Sequence, residues 1–125
     1  MTENEISKII VNACYKIHTT LGPGLLESVY EEVLSFELKK SDLDIKRQCG
    51  IPVVYETQKL DLGFRADLIV EDKVIIEIKS IECIAPVHQK QLLTYLRLAD
   101  LRLGILVNFN EALIKNGIQR IVNNL

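Results

Sequence analysis

The sequence has no tryptophan, and tyrosine and phenylalanine bring the aromatic share to only 6%. So little aromatic surface argues against a stacked, sugar-binding face and for layers of aliphatic strands and helices. Cysteine is scarce too. Cys14, Cys49 and Cys83 are odd in number and widely spread, with no CxxC pair and no histidine at zinc-finger spacing. A disulfide framework and a structural zinc are both excluded on that count, and a four-cysteine iron–sulfur cluster would need ligands shared between chains. Reduced, buried thiols are the expectation. No apolar run approaches the roughly 18 residues of a membrane span. The opening residues Thr2-Glu3-Asn4-Glu5 are acidic where a signal peptide would be basic, so a cytoplasmic protein without membrane association is expected. Charge of one sign is also missing. Fifteen Lys and Arg against 17 Asp and Glu leave a net charge of −2, so any footprint for phosphates must be local.

What is present is aliphatic. Apolar residues make up 48% of the 125, enough to exclude disorder and to build one compact domain over residues 1–125 that buries roughly two-thirds of its unfolded surface. Ile6, Ile9, Ile10, Ala13, Cys14, Ile17 and Leu21 recur at spacings of three and four, which predicts a helix over about 4–20, stopped by Gly22-Pro23-Gly24. A second helix follows to about Lys40, with Lys39 and Lys40 at its negative end. The period then falls to two. Ile45 to Tyr55 reads as a strand whose Pro52 requires an edge or a bulge. From Lys59 the residues Leu60, Leu62, Phe64, Ala66, Leu68 and Val70 alternate with Asp61, Gly63, Arg65, Asp67 and Ile69, which predicts a strand with one core face and one polar face. Glu71-Asp72-Lys73 is a turn, and Val74 to Ser80 returns as a strand. Pro86 to Ala99 reads as a helix, Leu103 to Phe109 as a fully buried strand, and Ile118 to Val122 as a short edge element. The order predicts an α/β fold with a central mixed sheet flanked by helices.

A turn centred on Asp72 sets Asp67 directly opposite Glu77, their Cβ atoms about 5 Å apart on the polar face. Facing carboxylates repel unless positive charge lies between them. Lys79, on the same face, supplies part of that charge; a hard cation such as Mg2+ or Mn2+ would supply the rest. A salt-bridged, solvated sheet face formed by Arg65, Asp67, Glu77 and Lys79 is the other reading of the same residues. Ile69 and Ile75 share that face, so it is not simply open to solvent, and charges beside apolar groups point to a cleft.

Asp67, nine intervening residues and Glu77-Ile78-Lys79 resemble the core of the PD-(D/E)XK nuclease superfamily, with a restriction-endonuclease-like fold. Gly24-Leu25-Leu26-Glu27-Ser28-Val29-Tyr30 is similar to the motif that gives the GxxExxY family its name, and Gln91-Leu92-Leu93-Thr94-Tyr95 to the QxxxY motif of the RecB-like branch. Ala66 stands where the superfamily name has proline. The resemblance implies a metal site of Asp67, Glu77 and the backbone carbonyl of Ile78. It implies that Lys79 positions or activates the attacking water, and that Glu27 joins the acidic cluster directly, through a water or through a second metal. Gln91 and Tyr95, one helical turn apart, would orient Lys79 or touch the substrate backbone. Tyr30 falls on the apolar stripe of its helix and supports the site from the core. Lys39, Lys40, Lys46 and Arg47 form the densest basic group, suited to a phosphate backbone or to a solvated loop. The expectation is a Mg2+- or Mn2+-dependent deoxyribonuclease acting on DNA. The expected partners are nucleic acid, a second copy in a homodimer, and a protein partner. The alternatives are a nucleic-acid-binding or assembly module of the same fold with little catalysis, and a structural domain that dimerises through its polar sheet face.

Overall fold

The computed structural model describes residues 1–125, except for the side chains of Asp61 and Leu62. Helix α1 spans Glu3–Leu21 and α2 Glu27–Lys40, followed by the strands β1 (Ile45–Tyr55), β2 (Gln58–Val70) and β3 (Val74–Lys79). Helix α3 (Pro86–Ala99) crosses to β4 (Leu103–Asn108), and a 3-10 turn at Ile114–Asn116 precedes β5 (Ile118–Val122). The strands form one sheet in the order β1-β2-β3-β4-β5. The β3/β4 pair is parallel and the other three are antiparallel. This is the mixed α/β architecture expected of a restriction-endonuclease-like fold.

Alternation along the central strands feeds two cores. Leu68, Val70, Val74, Ile76, Ile78, Leu103, Ile105 and Val107 pack against Ile6, Ile10, Cys14 and Ile17 of α1 and Tyr30, Leu34 and Leu38 of α2. On the opposite face Ile69, Ile75 and Leu106 pack against Leu92 and Leu96 of α3, with Ile51 and Ala66 completing the cluster. Thr2 caps α1 by accepting from Glu5 N at 3.2 Å, and the Glu5 carboxylate accepts from Thr2 N at 3.0 Å, which satisfies two donors the helix start leaves free.

Glu71 and Asp72 take left-handed conformations, and Lys73 N donates to Val70 O at 3.0 Å, which closes the β2–β3 turn. The register Leu68↔Ile76, Ile69↔Ile75, Val70↔Val74 is the one a turn centred on Asp72 predicts. Pro52 lies at an irregularity of the edge strand β1, between Ile51 and Val53.

Two expectations need correction. Residues 60–70 do not present a single core face: Leu60 is 44% exposed, and Ala66 packs on the α3 side while Leu68 packs on the α1/α2 side. The faces change over between Ala66 and Leu68, at Asp67, where the opposing strand carries the left-handed Gln48. The expected facing of Asp61 and Leu62 lies outside the described side chains. Of the three thiols only Cys14 is buried, and its surroundings push its pKa up to about 12; Cys83 is exposed. Within the basic group, Lys40 pairs with Glu37, Lys46 with Asp72, and Arg47 with Glu31 and Glu32.

Close approach of α3 to the sheet depends on Gly104. A Cβ there would sit 2.8 Å from Cγ of Leu92, which is itself fully buried and has nowhere to move. Gly104→Ala is therefore expected to lower the unfolding free energy by about 1–3 kcal/mol in urea titrations. Combined with Leu92→Ala it should cost less than the two single changes added together, because each relieves the other.

Candidate active site

The β2–β3 ladder ends one pair short of its geometric continuation. Asp67 lies opposite Glu77 by register, yet there the backbone hydrogen bonds give way to carboxylate ones. Asp67 N donates to Glu77 Oε1 at 3.3 Å, and Ile78 N donates to Asp67 Oδ2 at 2.8 Å. Buried N–H groups need partners, so each carboxylate serves as an end-stop for the other strand. β3 meanwhile continues to pair with β4 as far as Lys79↔Asn108, so the sheet opens between β2 and β3 only. A strand residue points its N–H and C=O to the same edge, so the Ile78 carbonyl faces this opening.

The two acids are strained electrostatically. Glu77 is 7% exposed, and burial first, then the charge of Asp67, push its pKa up to about 8. Asp67 is also raised, by burial foremost, opposed by the Ile78 N–H and reinforced by the charge of Glu31. Lys79 pulls both down and takes part in none of the ion pairs among the described residues. One ammonium does not offset one buried and one half-buried carboxylate. Two carboxylate groups, a carbonyl and a net negative field form the hard-oxygen donor set that a Mg2+-like cation accepts, with waters or substrate oxygens filling its other positions. Among the described residues no three His, Cys, Asp or Glu side chains gather closely enough to make an all-protein cage. The donor set therefore fits a partly hydrated cation shared with substrate.

The remaining expected residues fall into two groups. Glu27, at the first position of α2, accepts from Ser80 N at 3.2 Å, just past Lys79. Ser80 Oγ donates to Leu25 O at 2.5 Å, so both ends of the contact are fixed. Glu27, Ser28, Glu31, Gln48, Asp67 and Ile78 line one cavity of about 300 Å3. Tyr30 is fully buried: its ring stacks on Phe109 at 4.4 Å, and its hydroxyl donates to Gly22 O at 2.6 Å and accepts from Leu25 N at 3.2 Å. Its work is to hold the loop through Gly24, which has φ +97°, so that α2 starts beside the end of β3. Tyr95 borders the acids: burial, then the charges of Glu77 and Asp67, raise its pKa, and its ring lies 4.6 Å from that of Phe64. Gln91, on the same side of α3 one turn earlier, is exposed and is not brought to Lys79. His88 caps α3, its Nδ1 accepting from Ala85 N at 2.9 Å.

Three polar residues of the neighbourhood escaped the sequence reading. Glu31 is 8% exposed and Asn108 fully buried. Asn108 ties the ends of β3 and β4 together by accepting from Ile81 N at 3.1 Å and donating to Ile81 O at 2.9 Å. Gln48 donates to Glu31 Oε1 at 2.6 Å and to Asp67 Oδ1 at 3.4 Å. Only Glu31 carried a usable signal, its four-residue spacing from Glu27, which puts both acids on one side of α2.

A sequence profile of the PD-(D/E)XK nuclease superfamily matches residues 4–121. No curated protein and no solved structure matches the chain.

The Glu77 shift has a sign that can be measured. A carboxyl with a folded pKa near 8 and an ordinary unfolded one binds an extra proton when folded, so stability is full below about pH 4.5 and is lost as pH rises through 8. Metal-free protein should melt at a lower temperature at pH 8 than at pH 5.5. Glu77→Gln should flatten that slope and be the more stable form at pH 8, by about 1–3 kcal/mol in denaturant titrations. A steeper slope in Glu77→Gln than in the wild type would show that another group is responsible.

Proposed function

The chain belongs to the PD-(D/E)XK nuclease superfamily, and we propose that it is a divalent-metal-dependent nuclease of the GxxExxY branch that hydrolyses phosphodiester bonds of DNA. The observation that carries the reading is the Asp67/Glu77 pair at the opening between β2 and β3, with Lys79 two residues further along the same strand. Residues 1–125 act in this reading as one nuclease domain.

Asp67, Glu77 and the Ile78 carbonyl would hold the cation, Mg2+ or Mn2+, which when bound would acidify a water and stabilise charge on the phosphate. Lys79 hydrogen-bonds the attacking water and offsets the negative charge that builds on the phosphoryl oxygens. The water oxygen bonds to phosphorus as one of its protons passes to solvent, the P–O bond on the far side breaks, and a proton from solvent neutralises the leaving oxygen. Glu27 adds to the acidic cavity through an intervening water, and Tyr95 and Gln91 present polar groups from α3 to the substrate backbone. Tyr30 acts only through the loop it holds.

Net charge favours a second reading. At −2 overall, and with Lys40, Lys46 and Arg47 of its densest basic group paired to carboxylates, the protein carries no basic excess for a duplex. An assembly module that keeps the fold, and binds nucleic acid with a protein partner or as a homodimer, would tolerate that balance.

End-labelled single-stranded, double-stranded, flapped and junction DNAs, and RNA, incubated in Mg2+, Mn2+ or EDTA separate the two. Cleavage is expected only with metal, and should fall by roughly 100-fold or more in Glu77→Ala and in Lys79→Ala that remain folded by circular dichroism. Glu77→Ala cleaving at the wild-type rate sinks the proposal. Salt-sensitive binding without cleavage in Mn2+ would favour the assembly module.

A further inference from the structure

Gln48 has a positive φ, 48°, in the middle of an 11-residue strand. Most side chains resist that conformation, and glycine or asparagine would adopt it at less strain. The strand register passes through the kink without a shift, from Arg47↔Leu68 to Cys49↔Ala66, which sets Gln48 opposite Asp67. Gln48 is exposed, so core packing does not explain why a glutamine stands there. Strained residues held by their surroundings concentrate at functional sites.

The contacts of its side chain supply the reason. One amide nitrogen donates to Glu31 Oε1 at 2.6 Å and to Asp67 Oδ1 at 3.4 Å. Both partners are carboxylate oxygens, so the amide's nitrogen, not its oxygen, must face them. Glu31 is itself anchored. Arg47 donates to Glu31 Oε2 from Nε at 3.2 Å and from Nη2 at 3.0 Å, and its Nη1 reaches Glu32 at 2.6 Å. A chain of hydrogen bonds thus runs from Arg47 through Glu31 of α2 and the Gln48 amide to Oδ1 of Asp67, while Ile78 N donates to Oδ2. An ammonium in place of the amide would hold the two acids apart equally well, but it would cancel the negative field that attracts a cation. A neutral group with two N–H bonds separates them and leaves the field intact.

We infer that Gln48 is a positioning residue for the candidate metal site, its amide bridging Glu31 to Asp67 and thereby aiming the Asp67 carboxylate at the cation. The inference rests on the metal-dependent reading of the Asp67/Glu77 pair. Removing such an outer partner lowers metal affinity by about 10–100-fold in metal sites generally.

Gln48→Gly separates the amide from the kink, because glycine keeps the left-handed backbone and deletes the side chain. Gln48→Asn also tolerates the backbone, but it is one methylene too short to span both acids. Mn2+ binding to each full-length variant, read from the loss of the free-ion electron paramagnetic resonance signal, should weaken at least tenfold, with melting temperatures at or above wild type. Excess Mn2+ should restore kcat in both variants, with KM for DNA unchanged, as expected of a residue that acts through the metal. Wild-type Mn2+ uptake that Glu77→Ala abolishes and both Gln48 variants leave intact overturns this inference alone. Absence of Mn2+ uptake by the wild type overturns the metal-dependent reading and this inference with it. Should Gln48→Gly not fold, Gln48→Asn alone decides the matter.

Discussion

Everything at the candidate site follows from one substitution of partners, carboxylate for backbone carbonyl, at the end of the β2/β3 ladder. Ordinary strand pairing would leave Asp67 and Glu77 facing one another with no one obliged to hold them. Here each accepts a hydrogen bond from the backbone of the other's strand, at 3.3 Å and 2.8 Å. Two acids are thereby fixed, Glu77 buried and Asp67 half-buried, in a position that the repulsion of their charges would oppose. Because the same bonds satisfy buried N–H groups, the acids cannot swing apart without leaving donors unpaired. The arrangement is locked structurally and unsatisfied electrostatically, and the proposed cation site rests on this combination.

Both helical layers serve that arrangement. On one face, the Tyr30/Phe109 stack and the two hydrogen bonds of the Tyr30 hydroxyl fix the start of α2 beside Ser80, which carries Glu27 and Glu31 to the mouth of the opening. On the other face, the bare backbone of Gly104 lets Leu92 and the rest of α3 settle against the sheet, which excludes water from Glu77 and sets Tyr95 at the border. Burial is the largest contribution to the shift of Glu77, so the packing of α3 reaches the candidate site through solvation, without needing a direct bond.

Period and turn chemistry made the elements legible. The helix boundaries, the β2–β3 register and the irregularity at Pro52 follow from alternation, capping and the missing proline donor, all of which act within a few residues of chain. The motif residues were legible because their spacing is carried by single elements: Glu77 and Lys79 share a strand, Glu27 and Tyr30 a helix, Gln91 and Tyr95 another. Gln48 was not legible. Tyr55 faces Gln58 at the turn, but Ile51 faces Phe64 beyond Pro52, so β2 supplies two more residues than β1 across the irregularity. Counting back from the turn without that slip sets Gln48 opposite Arg65 and misses Asp67. The pairing of Arg47 with α2 was hidden for a similar reason, since a run of basic residues does not announce the acids another element brings to it.

The sequence by itself therefore determined which residues form each strand and helix and which acids share a face, because these depend on periods of 2 and 3.6 and on a three-residue turn. Tertiary structure alone decided that the ladder yields to carboxylates at Asp67, that burial under α3 raises Glu77, and that a strained Gln48 joins α2 to the site. Those outcomes depend on desolvation and on contacts between residues 10 to 53 positions apart. No local pattern records such contacts, because their free energy exists only once the layers have packed.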